Sequence, residues 1–199
     1  MTKSLCIAIW LLLLLQGCAV TEPEPESTET LLAQPPDGWK QTYQMNNVTT
    51  RLTEFVPSGQ TNTDWDTRLS FESFRDLAGA DPIEVLLNEV EQDKERCSFI
   101  QHFNLYSGYE NGYPTSIRLI MCGENERTEK GEIELIKAIQ GNDYLYIVRM
   151  LERIPPFEVN QPDFATGKMA QWASYFKMVS LCDTAREEHS CPEAEESSE

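Results

Sequence analysis

The chain has 199 residues, of which 16 are Lys or Arg and 33 are Asp or Glu, so that its formal net charge is −17. This acidic balance argues against nucleic acid as a partner, because phosphate backbones bind basic surfaces. It also argues against direct binding to an anionic lipid surface. A cationic partner or simple solubility remains as an explanation of the negative charge.

The first 17 residues have the pattern of a cleaved export signal. Lys3 provides a positive start, and residues 5–15 are almost entirely apolar. That run is too short to span a bilayer, which takes about 20 apolar residues. It ends at residues 15–18, Leu-Gln-Gly-Cys, which resemble the lipobox of bacterial lipoproteins. The resemblance implies cleavage after Gly17 and transfer of a diacylglycerol group to the Cys18 thiol.

The lipobox also implies a location. Two or three acyl chains hold a protein on a membrane almost permanently, whereas one chain binds marginally. In the sorting rule of enteric bacteria an aspartate after the lipidated cysteine retains the protein in the inner membrane. Ala19 therefore favours the outer membrane, with the protein facing the periplasm, over the inner membrane or the cell surface. The alternative is an ordinary signal peptide that is cut elsewhere, with Cys18 incidental.

Composition divides the remaining chain into three parts. Residues 18–36 are predicted to be the lipidated cysteine and a disordered linker, because residues 21–30 (TEPEPESTET) are acidic and interrupted by proline. Residues 184–199 are predicted to be a solvated acidic tail. Residues 37–183 are long enough to form a single domain with a full core.

The chain contains six cysteines. Cys6 leaves with the signal peptide and Cys18 carries the lipid. An even number of cysteines in an exported chain is typical of disulfides. The other four, which can pair in three ways, are Cys97, Cys122, Cys182 and Cys191. Their spacing lacks the Cys-x-x-Cys pattern of zinc sites, so neither a metal nor a cofactor is expected.

Three strands are predicted first. Residues 39–45 alternate between apolar and polar side chains, as in a half-buried strand. A turn at Asn46 and Asn47 leads to a returning strand at residues 49–56. The third strand has one face formed by Leu69, Phe71 and Ser73.

The clearest helix start in the chain follows. Asp81 can cap the helix, Pro82 suits its first position, and Glu84 completes a capping box. The side chains predicted to face inward at helical spacing are Ile83, Leu86, Leu87 and Val90. The predicted outer face consists of Glu84, Asn88, Glu91, Gln92 and Glu95.

A hairpin comes next. Phe99, Phe103 and Leu105 are predicted to share one face of its first strand, and Asn111-Gly112 is a turn signal before the return strand at residues 113–121. Pairing about that turn places Cys97 nearly opposite Cys122, which favours a disulfide between them. The remaining pair, Cys182 and Cys191, then closes a short loop.

A second hairpin and a second helix complete the domain. The hairpin strands are predicted at residues 132–140 and 144–152, and the helix at residues 160–179. The predicted inward residues of this helix are Phe164, Trp172, Phe176 and Val179. The expected fold class is therefore α+β, an antiparallel sheet of hairpins with helices packed on it.

The order of elements resembles the PsbP-like family of small α/β/α sandwich proteins. The matching features are the opening hairpin at Gly38-Trp39, the lead Gly112-Tyr113-Pro114 into a strand, and the closing stretch at residues 141–148 (GNDYLYIV) before a helix. The resemblance covers residues 37–182. It implies a binding or assembly module and not an enzyme, although a fold does not by itself assign a function.

Catalytic residues are not predicted. His102 is the single histidine of the predicted domain, so no Ser/His/Asp or Cys/His arrangement has support from spacing. Four acids that lie close in sequence are Asp64, Asp66, Glu72 and Asp76, and they form no calcium-loop pattern. Three tyrosines, Tyr106, Tyr109 and Tyr113, surround the Asn-Gly turn and suggest a binding surface at the hairpin tip.

The sequence thus favours a lipid-anchored, non-enzymatic protein that binds a protein or another envelope component. Two alternatives remain open. One is a cell-wall hydrolase that uses paired carboxylates, which a cleft containing two acids about 5–10 Å apart would favour. The other is a purely structural role in the outer membrane.

Overall fold

The computed structural model describes residues 27–159, 162 and 164–192. The predicted signal peptide, Cys18 and the last residues of the tail lie outside this range. The elements, in chain order, are β1 (Glu29–Leu32), β2 (Trp39–Asn46), β3 (Thr50–Pro57), β4 (Thr67–Phe74), α1 (Pro82–Lys94), β5 (Ile100–Glu110), β6 (Tyr113–Asn125), β7 (Lys130–Gln140), β8 (Leu145–Ile154), α2 (Thr166–Met178) and β9 (Ser180–Asp183). Short 3-10 helices lie at Arg75–Leu77 and Glu187–His189.

Seven strands form one antiparallel sheet in the order β2-β3-β4-β8-β7-β6-β5. Strands β1 and β9 form a separate antiparallel pair. On one face of the large sheet, Trp172 and Phe176 of α2 pack on a core that includes Leu135 and Met150. On the other face, Leu86 and Val90 of α1 pack over β5, β6 and β7. The α+β class predicted from the sequence is confirmed. None of the helices in the described part is long and apolar enough to cross a membrane.

Helix α1 begins where the sequence predicts. The Asp81 carboxylate accepts a hydrogen bond from the Ile83 backbone N–H at 2.8 Å, which satisfies a free donor of the first turn. Leu86 and Val90 are buried as predicted. The prediction for Ile83 was wrong, because this residue lies in the first turn, beyond the edge of the buried stripe, and is 37% exposed.

A β-bulge in β5 overturns part of the predicted strand pattern. Asn104 pairs with Arg118, but Tyr106 pairs with Ile117, so Leu105 is an extra residue. The alternation therefore reverses after Asn104, and Tyr106 packs on the α2-side core. Phe103 and Leu105, predicted to share a face, are 46% and 50% exposed, because β5 is the last strand of the sheet.

The domain begins earlier than predicted. Residues 29–32, assigned to a disordered linker, form β1 and pair with β9. Leu31 packs against the core. The buried carboxylate of Glu29 accepts hydrogen bonds from the backbone N–H groups of Asn142 at 2.5 Å and Asp143 at 3.1 Å. The turn between β7 and β8 thereby fixes the start of the domain.

The domain also extends into the predicted tail. Cys182 and Cys191 form a disulfide with a Cα–Cα distance of 4.8 Å. The His189 ring stacks on Tyr113 with ring centroids 4.0 Å apart, and the Asn111 side-chain amide donates to the Leu181 carbonyl at 2.9 Å. Residues up to 191 therefore pack on the β5–β6 turn and are not a free tail.

The second disulfide joins Cys97 and Cys122 across the ends of α1 and β6, with a Cα–Cα distance of 5.5 Å. Both disulfides have the predicted pairing, Cys97 with Cys122 and Cys182 with Cys191. Helix α2 begins at Thr166, later than the predicted residue 160. Ala165 has extended backbone, with φ −65° and ψ 123°, and Pro162 disfavours helical backbone at the residue before it. Residues 160, 161 and 163 lie outside the described part.

Candidate functional site

The structure separates the three tyrosines that the sequence groups together. Tyr113 is 2% exposed and belongs to the core beneath His189. Tyr106 is half-buried, and its hydroxyl donates to the Tyr109 carbonyl at 2.9 Å. Tyr109 is 73% exposed. The hairpin tip therefore presents one tyrosine and not a cluster, and the aromatic surface expected there does not form.

The candidate acids and the histidine are also dispersed. Asp64, Asp66 and Asp76 are exposed, whereas Glu72 lies in a groove described below. His102 accepts a hydrogen bond from the Arg118 guanidinium at 2.7 Å, so this ring is neutral. Desolvation and the charge of Arg118 both lower the pKa of His102. Within the described ranges, no group of three or more His, Cys, Asp or Glu side chains could hold a metal ion.

An apolar groove of about 610 Å³ lies on the α2 side of the sheet. Helix α2 forms one wall, and the start of β2 with the end of β3 forms the other. The groove is lined by Pro36, Trp39, Pro57, Thr67, Met150, Lys168, Ala170, Gln171, Trp172, Ser174, Tyr175 and Met178. Aromatic, proline and methionine side chains dominate this lining, and a few polar groups lie among them. This is the usual composition of a small-molecule site.

A second compartment of about 490 Å³ continues the groove along β1. Tyr175 and Met178 line both compartments. The Tyr175 hydroxyl donates to the Gln34 carbonyl at 3.0 Å, which ties the segment after β1 to α2. Burial raises the pKa of Tyr175, so this phenol stays neutral. The two compartments adjoin at Tyr175 and Met178, and together they are called the channel.

One end of the channel is polar. The Lys168 ammonium forms an ion pair with Glu152 and lies 6.0 Å from the Trp172 ring centroid. The Met178 side chain at the junction of the compartments is 72% exposed. A methionine side chain is flexible and adapts its shape to apolar ligands. An apolar floor with a charged end suits an amphiphile whose chain lies in the channel.

A different groove, about 350 Å³ and strongly polar, lies on the α1 side of the sheet. Its centre is the Arg149 guanidinium on β8. Arg149 donates to Glu72 of β4 at 2.9 Å and to Glu134 of β7 at 3.2 Å, and pairs with Glu89 of α1 at 3.0 Å. One cation thus joins two strands and the helix across the part of the sheet next to α1.

Burial raises the pKa of two carboxyl groups near Arg149. Desolvation raises the pKa of Glu134 to about 7, against the opposing effect of the Arg149 charge. Desolvation also raises the pKa of Asp93. Nearby, the Trp65 ring lies between two guanidinium groups, 4.3 Å from Arg68 and 3.7 Å from Arg153. Each acid has a fixed cationic partner, an arrangement that holds strands together and exposes little free charge.

The channel residues were not predicted as a site. Trp172 was predicted as an inward core residue, and Trp39 as part of a strand. The available signal was the width of the apolar stripe on α2. Tyr175 and Met178 extend the stripe beyond what Trp172 and Phe176 need to bury against the sheet, and a wide stripe indicates a second contact.

Comparisons with known proteins identify no family. No family model matches the chain, and no curated protein matches it. A solved structure that matches is that of LpqN, a protein involved in cell envelope biogenesis in Mycobacterium tuberculosis. The TM-score is 0.43 with 12% identity, and the match covers 80% of this chain and 86% of that one. A likeness this distant carries no argument about function, and the PsbP-like resemblance stays an expectation.

Proposed function

We propose that the chain is an exported lipoprotein anchored through Cys18 in the outer membrane and facing the periplasm. The support is the apolar run that ends in Leu-Gln-Gly-Cys, followed by Ala19. The chain between Cys18 and Glu29 spans at most roughly 40 Å when fully extended. The domain, and the channel beside β1, would therefore remain near the membrane surface.

Changing Cys18 to Ser is expected to abolish lipid attachment, since serine lacks the thiol that receives the diacylglycerol. Metabolic labelling with palmitate followed by membrane fractionation measures the effect. The variant should lose all label and accumulate as uncleaved precursor or as unanchored protein. Cys6→Ser is the matched control and should label normally. Labelling and membrane partition of the Cys18→Ser variant at the native level would show that the anchor is elsewhere.

The anchored domain functions, in this proposal, as a non-enzymatic binding module for an amphiphilic envelope component. The two adjoining apolar compartments between α2, β1 and β2 support this role. Each methylene group moved from water into such a channel contributes about 0.8 kcal/mol. An acyl chain can therefore bind through the channel floor alone, with its head group in solvent beside the Lys168–Glu152 pair. The net charge of −17 disfavours anionic head groups and favours zwitterionic or uncharged ones.

A blocking variant tests this function. Ala170→Trp should fill the channel from an exposed position on α2 and weaken binding of the neutral probe 1-N-phenylnaphthylamine at least ten-fold. The fluorescence of the probe, titrated into the protein, measures its affinity. Gln92→Trp, on α1 at the polar groove, is the matched control and should leave the affinity unchanged. Equal affinity for both variants, or loss only with Gln92→Trp, would rule out the channel as the site.

One observation favours a second candidate function. The polar groove brings Glu72 and Glu134 to the same guanidinium, and the pKa of Glu134 is about 7. A carboxyl group that is partly protonated at neutral pH can serve as a general acid, as a cell-wall hydrolase requires. The Arg149 contacts argue for a structural role instead. Release of soluble glycan from purified cell wall, lost on Glu134→Gln, would establish the enzyme.

A further inference from the structure

The turn between β5 and β6 consists of Asn111 and Gly112, both at positive φ, 45° and 78°. Asn111 is the one asparagine of the chain that precedes a glycine. An asparagine in this position is prone to lose its side-chain amide, because glycine has no Cβ to hinder attack by its own backbone nitrogen. The turn therefore carries a chemically labile pair of residues.

The C-terminal segment, defined as residues 181–191, holds the labile amide. The Asn111 Nδ2 donates to the Leu181 carbonyl at 2.9 Å, and it lies 3.1 Å and 3.4 Å from the carbonyls of His189 and Ser190. The His189 Nδ1 donates to the Asn111 backbone carbonyl at 2.8 Å. Asn111 is exposed, so these bonds and not burial restrain it. They must break before the amide can rotate towards the Gly112 nitrogen.

The C-terminal segment also covers Gly112. A Cβ atom added to this glycine would lie only 2.7 Å from the His189 ring, so the ring rests directly against the backbone. The same ring stacks on the core residue Tyr113, with centroids 4.0 Å apart. The disulfide between Cys182 and Cys191 ties the segment near both of its ends. The disulfide therefore keeps the segment on both groups that would react.

We propose that Asn111 is a deamidation site and that the disulfide-tied C-terminal segment protects it. A thiol that opens the disulfide by exchange, or local unfolding, frees the amide. The Gly112 nitrogen then bonds to the Asn111 Cγ, and the bond from Cγ to Nδ2 breaks. The amide nitrogen leaves as ammonia with the proton from Gly112, and a cyclic succinimide remains.

Water then opens the succinimide and leaves a carboxylate at position 111, as aspartate or isoaspartate. A carboxylate only accepts hydrogen bonds, so it cannot replace the amide as a donor to the carbonyls of Leu181, His189 and Ser190. These contacts cannot form again, and the segment is released from the turn. The modification therefore converts a reversible opening into a permanent one.

Mass spectrometry of the peptide that contains position 111 measures the protection in the purified, oxidised protein at mildly alkaline pH. The double variant Cys182→Ser, Cys191→Ser should deamidate at least about ten-fold faster than the native protein, since the rate follows the fraction of open molecules. Cys97→Ser, Cys122→Ser, which lacks the other disulfide, is the matched control and should react at the native rate. Circular dichroism checks that both variants are folded, and native protein in urea gives the unprotected rate.

His189→Ala completes the test with both disulfides in place. It removes the ring over Gly112 and the bond to the Asn111 carbonyl, and it should also speed deamidation. His102→Ala on β5 is its control and should react at the native rate. An unchanged rate in His189→Ala or in the variant without the C-terminal disulfide would overturn the protection, as would equal acceleration by loss of either disulfide. An intact amide at position 111 in the urea-unfolded protein would overturn the site itself.

Discussion

Lys137→Ala is expected to lower the free energy of unfolding by about 3–5 kcal/mol, the usual effect of removing one partner of a buried ion pair. The Lys137 side chain has no exposed surface, and it lies on β7 beneath the end of α2. Its ammonium pairs with the Glu110 carboxylate and donates to the carbonyls of Phe176 at 3.0 Å and Val179 at 2.6 Å. The carbonyl groups at the end of a helix lack partners within it, so the lysine satisfies them and fixes α2 to the sheet.

Urea denaturation of the oxidised protein measures this effect. Lys137→Met keeps most of the side-chain volume and leaves no large cavity. It should therefore lower the free energy of unfolding by less than Lys137→Ala does. Lys94→Ala removes an exposed pair with Glu91 on α1 and should change stability by less than about 0.5 kcal/mol. A Lys137→Ala variant as stable as Lys94→Ala would mean that the buried ammonium does not hold the helix.

Glu134→Gln is expected to stabilise the protein above neutral pH by up to about 3 kcal/mol, at 1.36 kcal/mol for each pH unit by which the pKa is raised. The pKa of Glu134 is raised from 4.5 to about 7 by burial. Between these values the folded protein holds a proton that the unfolded chain has released. The resulting stability is fully present below pH 4.5 and is lost as the pH rises through about 7. Glutamine stays neutral throughout and still accepts a hydrogen bond from Arg149.

The difference in unfolding free energy between variant and native protein, measured from pH 4.5 to 8.5, checks this prediction. It should be near zero at the acidic end and grow through neutrality. The lowered pKa of His102 and the raised pKa of Asp93 affect both proteins and largely cancel in the difference. Glu91→Gln, on the exposed face of α1, is the matched control and should show a flat difference. If the difference in unfolding free energy for Glu134→Gln does not change with pH, the pKa of Glu134 is not raised and the prediction is wrong.

Elements with local causes were predictable from the sequence. Asp81 and Pro82 specify the start of α1 through the first free backbone donors, and Asn111-Gly112 specifies the turn because both residues adopt positive φ. The same turn brings Cys97 within disulfide distance of Cys122, although the strand partner of Cys122 is Ile100 and that of Cys97 is Asn125. The bulge at Leu105 has no such local cause, because tertiary pairing with β6 produces it. The contacts of Glu29 could not be predicted from the sequence either, because its partners Asn142 and Asp143 lie far along the chain, in the turn after β7.

The candidate site was mostly unpredictable for a related reason. Whether Trp172, Tyr175 and Met178 fill a core or line an open channel depends on how closely β1 and β2 approach α2. That distance is a property of the assembled sheet and not of the helix sequence. Lys137 illustrates the same limit, because a single lysine in a predicted strand gives no sign that a helix end lies over it. Side-chain type and spacing therefore identified the layers, and packing determined the surfaces.

The position of a bound lipid relative to the tryptophans shows whether the channel is the binding site. Trp39 and Trp172 line the channel, whereas Trp65 lies between two arginines on the opposite side of the sheet. Lysophosphatidylcholine with a doxyl spin label on its chain quenches only nearby tryptophans. The Trp65→Phe variant, which keeps both channel tryptophans, should lose more than half of its fluorescence. Protein cleaved before Cys18 lacks Trp10, so its Trp39→Phe, Trp172→Phe variant keeps only Trp65 and should lose almost none. Quenching of the second protein and not the first would contradict the proposed function.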